Sequence, residues 1–184
     1  MKRNFVLAIA FATASLYACN NGTNKAPDAV EAAKDTNDKK DDANTMAVTE
    51  DDSKFLVFAA DAGMTEIQAA ETAKSMAISD KAKGFADEMI KDHTAAAEQV
   101  KALAATKNVT LPTAISDDHR KDIDDLSKKK GSDFEKAYIN MMVDDHQKVV
   151  DKFKEAEKES FTMKVITNIN LLRAVVSSLP SCTV

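Results

Sequence analysis

The sequence is poor in the residues that turn or cross-link a chain. Its 184 residues include four glycines, three prolines, two cysteines and no tryptophan. So few turn-forming residues argue against the many tight turns of a β-sandwich or β-barrel, and abundant alanine favours helix. Positive charge is also scarce, because 30 acidic residues outweigh 25 basic ones and give a net charge of −5. A nucleic-acid partner, which needs a basic surface, is therefore not expected.

The first 18 residues have the layout of an export signal. A short basic start precedes an apolar run from Phe5 to Tyr17, which is too short to span a bilayer comfortably. The run ends in Leu16-Tyr17-Ala18-Cys19, which resembles the lipobox of bacterial lipoproteins. That resemblance implies cleavage before the cysteine and acylation of its sulfur and its new amino group. We therefore predict a signal peptide over residues 1–18 and a lipid on Cys19.

This prediction places the protein in the bacterial cell envelope. The lipid would be in the outer membrane rather than the inner one, with the domain in the periplasm, and several acyl chains would hold it firmly. The expected partners are the membrane, through the lipid, and an envelope protein. The alternative is ordinary secretion with cleavage near Ala18, which would leave Cys19 as a plain thiol. A lipid on Cys19 would leave Cys182 without an intramolecular disulfide partner.

Residues 19–48 look unlike a folded segment. They are rich in Asn, Asp and Lys, and they lack both aromatic residues and a periodic apolar stripe. Such a stretch buries too little surface to offset its loss of conformational entropy, so we predict a disordered acidic and polar tether. A coil of this length has a root-mean-square reach of roughly 30 Å.

Apolar residues then recur at helical spacing and predict an all-α domain over residues 49–180. Three long helices are expected, and the motifs Thr49-x-x-Asp52, Ser79-Asp80 and Ser132-x-x-Glu135 mark their starts. A short, highly charged helix from Ser116 to about Lys129 is expected in the connection between the second and third.

The segment after Glu159 is poor in charge and rich in Val and Ile. Its apolar residues have the spacing of a helix seam, although a strand is a competing interpretation. We predict a fourth helix that ends before Pro180, because three amphipathic helices need one more apolar face to close a core. Residues 181–184 would form a short tail.

The second and third long helices share one pattern at an offset of 53 residues. Phe85, Met89, Asp92 and His93 match Tyr138, Met142, Asp145 and His146. Each histidine follows its methionine by four residues and therefore points toward the apolar stripe. The third histidine, His119, lies in the charged helix and is expected to be solvated.

Two inward histidines on paired helices suggest a metal site, with Glu66 of the first helix as a third ligand. The alternative is that each histidine is a hydrogen-bonded core residue. A carboxylate di-iron centre is disfavoured, because it needs Glu-x-x-His, and Ile90 and Val143 lie three residues before the histidines. No phosphate-binding loop, Cys-x-x-Cys pair or nucleophile elbow occurs in the sequence, so no catalytic residue is predicted.

Several of these segments together resemble the DUF4142 family of exported bacterial domains. The resemblance is strongest over residues 52–157, and it rests on FLVFAADAGMTE at 55–66, MIKDH at 89–93, VTLP at 109–112 and GSDF at 131–134, with Tyr138 and His146. It implies a ferritin-like four-helix bundle with a long crossover, containing a short helix, between the second and third main helices. It brings no established activity.

The C-terminal segment departs from that family. Members usually end in a helix with a Leu-Pro-x-Leu-x-x-x-His pattern, which supplies another inward histidine. Here Leu179-Pro180 is followed by Ser181-Cys182, and no histidine follows His146. We hypothesise that the tail is altered, by a frameshift near Glu159, because composition and resemblance change together there.

Two functions are consistent with the sequence. The first is a non-enzymatic, membrane-tethered envelope lipoprotein with a binding or structural role and no cofactor. The second is a metal-binding or redox bundle that uses Glu66, His93 and His146 with a transition metal.

Overall fold

A computed structural model describes residues 26–45 and 48–159, and within those ranges the protein is all-helical. The five helices are α1 (Ala29–Asp42), α2 (Glu50–Met76), α3 (Asp80–Lys107), α4 (Asp117–Ser127) and α5 (Gly131–Glu159). The all-α prediction is confirmed. The predicted fourth long helix, after Glu159, lies outside the described residues.

Local side chains explain where most of the helices begin. Thr49 caps α2 through a capping box, in which the Thr49 hydroxyl accepts from the Asp52 N–H and the Asp52 carboxylate accepts from the Thr49 N–H. Ser79 and Ser116 cap α3 and α4 through their hydroxyls, which accept from backbone N–H groups of the first turn. Both the Thr49 and Ser79 starts were predicted.

The predicted capping box at the start of α5 is wrong. The helix already begins at Gly131, which has a φ of +55°, so Ser132 lies within the helix rather than before it. The Glu135 carboxylate instead accepts from the backbone N–H groups of Ile78 and Ser79. It therefore fastens α5 to the turn between α2 and α3, and these N–H groups lower the pKa of Glu135.

Helix α2 is the centre of the assembly, because α1, α3, α4 and α5 all pack against it. One apolar cluster joins the start of α2 to the ends of α3 and α5, including Phe55, Val100 and Phe153. A second cluster joins the end of α2 to the starts of α3 and α5, including Ala73, Ala86 and Tyr138. Helices α3 and α5 therefore run parallel to each other and antiparallel to α2.

The parallel arrangement of α3 and α5 requires a long connection between them. Helix α3 ends at Asn108, which has a φ of +57° and turns the chain out of the helix. Helix α4 then carries the chain back along α2 to the start of α5. The predicted crossover with a short helix is confirmed.

The predicted disordered tether over residues 19–48 is wrong for α1. Helix α1 begins at the capping residue Asp28 and buries Val30 and Ala33 against Val57 of α2. Its apolar contribution is small, which is why no stripe was visible in the sequence. Polar contacts to a distant loop complete its packing, and Asn37 is the central one.

Asn37 is 1% exposed and pairs with the backbone of Thr110 in both directions. Its amide Nδ2 donates to the Thr110 carbonyl at 2.9 Å, and the Thr110 N–H donates to Oδ1 at 2.7 Å. Lys40 adds contacts to the Asn108 carbonyl and the Thr110 hydroxyl. These bonds tie α1 to the beginning of the crossover.

A bilayer-spanning helix would need a long apolar stretch. None of the helices between residues 26 and 159 that the structure describes is both long and apolar enough for this.

Candidate metal site

Glu66, His93 and His146 meet in the interior, one each from α2, α3 and α5. They lie between the two apolar clusters, since Ala62 and Ala69 on either side of Glu66 belong to different clusters. The three residues are 2%, 3% and 1% exposed, respectively. The structure therefore brings together all three residues of the predicted metal site.

The carboxylate of Glu66 lies between the two imidazoles. Its Oε2 is 2.7 Å from His93 Nδ1, and its Oε1 is 3.3 Å from His146 Nδ1. His146 Nδ1 is closer to the Met142 carbonyl oxygen, at 2.7 Å, and a carbonyl can only accept. Nδ1 of His146 therefore carries a proton, and its Nε2 is the nitrogen that has a lone pair when the ring is neutral.

Three polar atoms in this part of the core have no hydrogen-bond partner among the described residues. They are His93 Nε2, the hydroxyl of Tyr138, and Glu66 Oε1, which lies 3.3 Å from His146 Nδ1 without making a well-aligned hydrogen bond to it. A buried polar atom without a partner costs about 1–3 kcal/mol, so such atoms are rare in native proteins. Two of these atoms belong to the Glu66–His93 pair, and a group bound there would satisfy them.

The donor set suits a transition metal. One ligand atom from each of Glu66, His93 and His146 can be chosen so that all three lie within 4.8 Å of one another. Imidazole nitrogen and carboxylate oxygen are common ligands of zinc, copper and iron. Among the residues that the structure describes, this is the one such group of three. Asp92 and Asp145, which directly precede the two histidines, are not part of it.

A crevice connects the site to the surface between α2, α3 and α5. It has a volume of about 30 Å³, is partly open to solvent, and reaches Glu66 and His93. Its walls are mostly small side chains, contributed by Ala59, Ala62, Gly63, Ala96, Ala97 and Val100. The crevice therefore has room for about one water or ion beside the buried carboxylate.

Tyr138 forms the wall of the core next to the site. Its ring lies 5.8 Å from that of Phe85 and is stacked 6.5 Å from that of Phe134, and the residue is fully buried. Burial raises the pKa of the phenol, and the nearby charge of Glu66 raises it further. The phenol is therefore a neutral donor at physiological pH.

His119 is part of a second polar contact that the sequence did not reveal. It was expected to be solvated, but its side chain is only 26% exposed and its Nδ1 lies 2.9 Å from Asp61 Oδ2. The other oxygen of Asp61 accepts from the Ser116 N–H at 2.8 Å. The Asp61 carboxylate raises the pKa of His119, so this ion pair fastens α4 to α2.

The fold and site define an all-helical domain with a buried carboxylate between two histidines. The chain belongs to the DUF4142 family, a domain of unknown function, and the family match covers residues 37–168. The match begins inside α1 and includes all three residues of the candidate site, and it confirms the family resemblance seen in the sequence. No curated protein and no solved structure matches the chain.

Proposed function

We propose that this domain binds a transition metal through Glu66, His93 and His146. The observation that carries the proposal is the convergence of one carboxylate and two imidazoles from three helices, all at least 97% buried. Of the two functions consistent with the sequence, the geometry favours the second. A purely structural core would gain more from apolar residues at these positions, since burying a carboxylate is costly.

A bound metal would offset the main energetic cost of this arrangement, which is the burial of the Glu66 carboxylate. It would take electron pairs from Glu66 and from a nitrogen of each histidine, and it would bring Lewis acidity or redox chemistry to the core. The protein's own part is to hold these ligands in place: the Met142 carbonyl orients the His146 ring through its Nδ1–H. The crevice beside Gly63 gives the metal a path of entry.

We further propose that the domain completes a ferritin-like four-helix bundle. Helices α2, α3 and α5 supply three of the long helices, with α4 in the crossover. Residues 160–179 carry the remaining apolar residues at helical spacing and are the candidate for the fourth. They contain no histidine, so the site depends on the three ligands described above.

The function includes a location at a membrane. We propose that Cys19 carries the lipid that holds the domain at the periplasmic face of the cell envelope, in the outer membrane. The support is the basic start, the apolar run and the Leu-Tyr-Ala-Cys motif of residues 16–19. An envelope protein as a partner is compatible with this location.

Elemental analysis tests the metal proposal. Full-length protein should be purified without chelator from metal-replete cells, beside the variants His93→Ala and His119→Ala. We expect about one equivalent of a transition metal in the parent, its loss in His93→Ala, and its retention in His119→Ala, which alters a histidine outside the site. Absence of metal from the parent would refute the proposal.

Cell fractionation tests the lipid anchor. Cys19→Ala should move the protein from the membrane fraction to the soluble fraction, whereas Cys182→Ala should leave it with the membrane. Membrane retention of Cys19→Ala would contradict lipidation at this residue.

A further inference from the structure

We propose that the metal site is selective for Cu(I), with the thioether sulfurs of Met89 and Met142 as additional ligands. This inference rests on the proposed metal-binding function and specifies the metal. It follows from the placement of two methionines next to the two histidines.

The two methionines occupy equivalent positions beside the site. Met89 lies four residues before His93 on α3, and Met142 lies four residues before His146 on α5, so each pair shares one helix face. Met89 is fully buried and Met142 is 2% exposed. Both belong to the apolar cluster that borders Glu66.

A contact within the site keeps His146 close to Met142. The hydrogen bond from His146 Nδ1 to the Met142 carbonyl folds the imidazole back over the turn that carries Met142. The rings of His93 and His146 lie edge to face with centroids 5.2 Å apart, so the two helices meet at this level. The two histidines therefore meet, and each has a buried methionine one turn before it on the same helix face.

The chemistry of these donors favours a soft metal. Thioethers bind Cu(I), imidazole binds copper well, and hard cations prefer several oxygen ligands. The site offers a single carboxylate, and the side chains of Ile90 and Val143, three residues before each histidine, cannot bind metal. Methionine is flexible enough for its sulfur to move toward a metal without a change of backbone.

The test compares metals and methionine variants. Full-length protein with Cys19→Ser and Cys182→Ser, which removes competing thiols, is titrated anaerobically with Cu(I) against bicinchoninate, and separately with Zn(II). The double variant Met89→Leu/Met142→Leu conserves volume and removes both thioethers. Met141→Leu is the matched control, because Met141 precedes Met142 directly and packs against the same cluster from outside the shared face.

We expect Cu(I) to bind the parent and Met141→Leu equally. The double variant should bind Cu(I) at least about tenfold more weakly, with Zn(II) affinity changed by no more than about twofold. X-ray absorption of the copper-loaded parent should show a sulfur shell that the double variant lacks.

Other outcomes overturn the inference. Equal Cu(I) affinity in the parent and the double variant would exclude thioether ligands, and an equal loss for both metals would assign the methionines to packing. A parent that binds Zn(II) but not Cu(I) would refute this inference alone. A parent that binds neither metal would refute the metal-binding function itself.

Discussion

Replacing part of the buried cluster by apolar residues should stabilise the metal-free protein. In Glu66→Met/His93→Leu, two unpartnered polar atoms disappear from the core, at about 1–3 kcal/mol each, together with one charge-assisted hydrogen bond worth about 1.5–3 kcal/mol. The 3.3 Å contact between His146 Nδ1 and Glu66 Oε1 is lost as well, so the balance favours the double variant by about 1 kcal/mol. His146 keeps its bond to the Met142 carbonyl and is left unchanged.

Each single variant should behave differently from the double. Glu66→Met removes the acceptor of His93 Nδ1, and His93→Leu leaves the Glu66 carboxylate buried without that donor, so both should lower the free energy of unfolding. In a double-mutant cycle, the coupling energy between the two substitutions should therefore be larger in magnitude than the two single losses of stability added together.

Urea unfolding followed by circular dichroism, with a chelator present, measures these differences. Repeating the series with metal supplies the control, because about a hundredfold excess of metal over its Kd should stabilise the parent by about 2.7 kcal/mol and leave the double variant unchanged. A metal-free double variant that is less stable than both singles would refute the reasoning. The cluster would then be a structural hydrogen-bonded network.

Three further predictions concern the surroundings of the site. Gly63→Ala should stabilise the protein by about 1 kcal/mol and raise Tm by roughly 3–5 °C in a thermal melt, because the new Cβ meets nothing within 4 Å; a lower Tm would contradict this. His119→Gln should lower the free energy of unfolding most below pH 6.5, the ordinary pKa of a histidine side chain, and the difference from the parent should fade as pH rises through the raised pKa of His119. Urea unfolding from about pH 5.5 to about pH 9 measures this difference. A difference that stays constant with pH would exclude the Asp61 ion pair. Asn37→Ala should lower the free energy of unfolding by about 1–3 kcal/mol and accelerate amide hydrogen exchange in α1 more than in α3. Unchanged exchange in α1 would show that the hydrogen bonds to Thr110 do not hold this helix.

The sign of the His119 prediction follows from its pKa. Asp61 raises the pKa in the folded state, so the folded protein binds the proton more tightly than the unfolded chain. The resulting stability is fully present below the unfolded pKa and is lost at higher pH. Asp122 and Asp145 act on His119 in the same direction as Asp61.

The sequence predicted the parts of the fold that depend on local pattern. Helices α2, α3 and α5 have long apolar stripes, and two of them repeat the Met-x-x-Asp-His series, so both the helices and the site histidines were visible. Glu66 was predicted as the carboxylate that the first long helix could supply. All three have the burial that such patterns imply.

The parts that were missed depend on contacts between distant residues. Helix α1 is held by Asn37 and Lys40 against a loop about 70 residues away, and polar residues in a charged stretch give no periodic signal. His119 looked solvated because its partner Asp61 lies on another helix. Glu135 fitted a capping box but reaches the turn after α2 instead.

Helix α1 also limits how far the domain could lie from a lipid on Cys19. Its first residues are fixed to the body of the domain, since Asp28 accepts from the Asp117 N–H at 2.6 Å. Between Cys19 and Asp28 the chain advances nine residues, which span at most about 30 Å even when fully extended. With a lipid on Cys19, the region around the starts of α1 and α4 would stay within about 30 Å of the bilayer surface. Diffusion of the domain would then be confined to a thin layer at the membrane surface, and encounters would favour molecules held at that same surface.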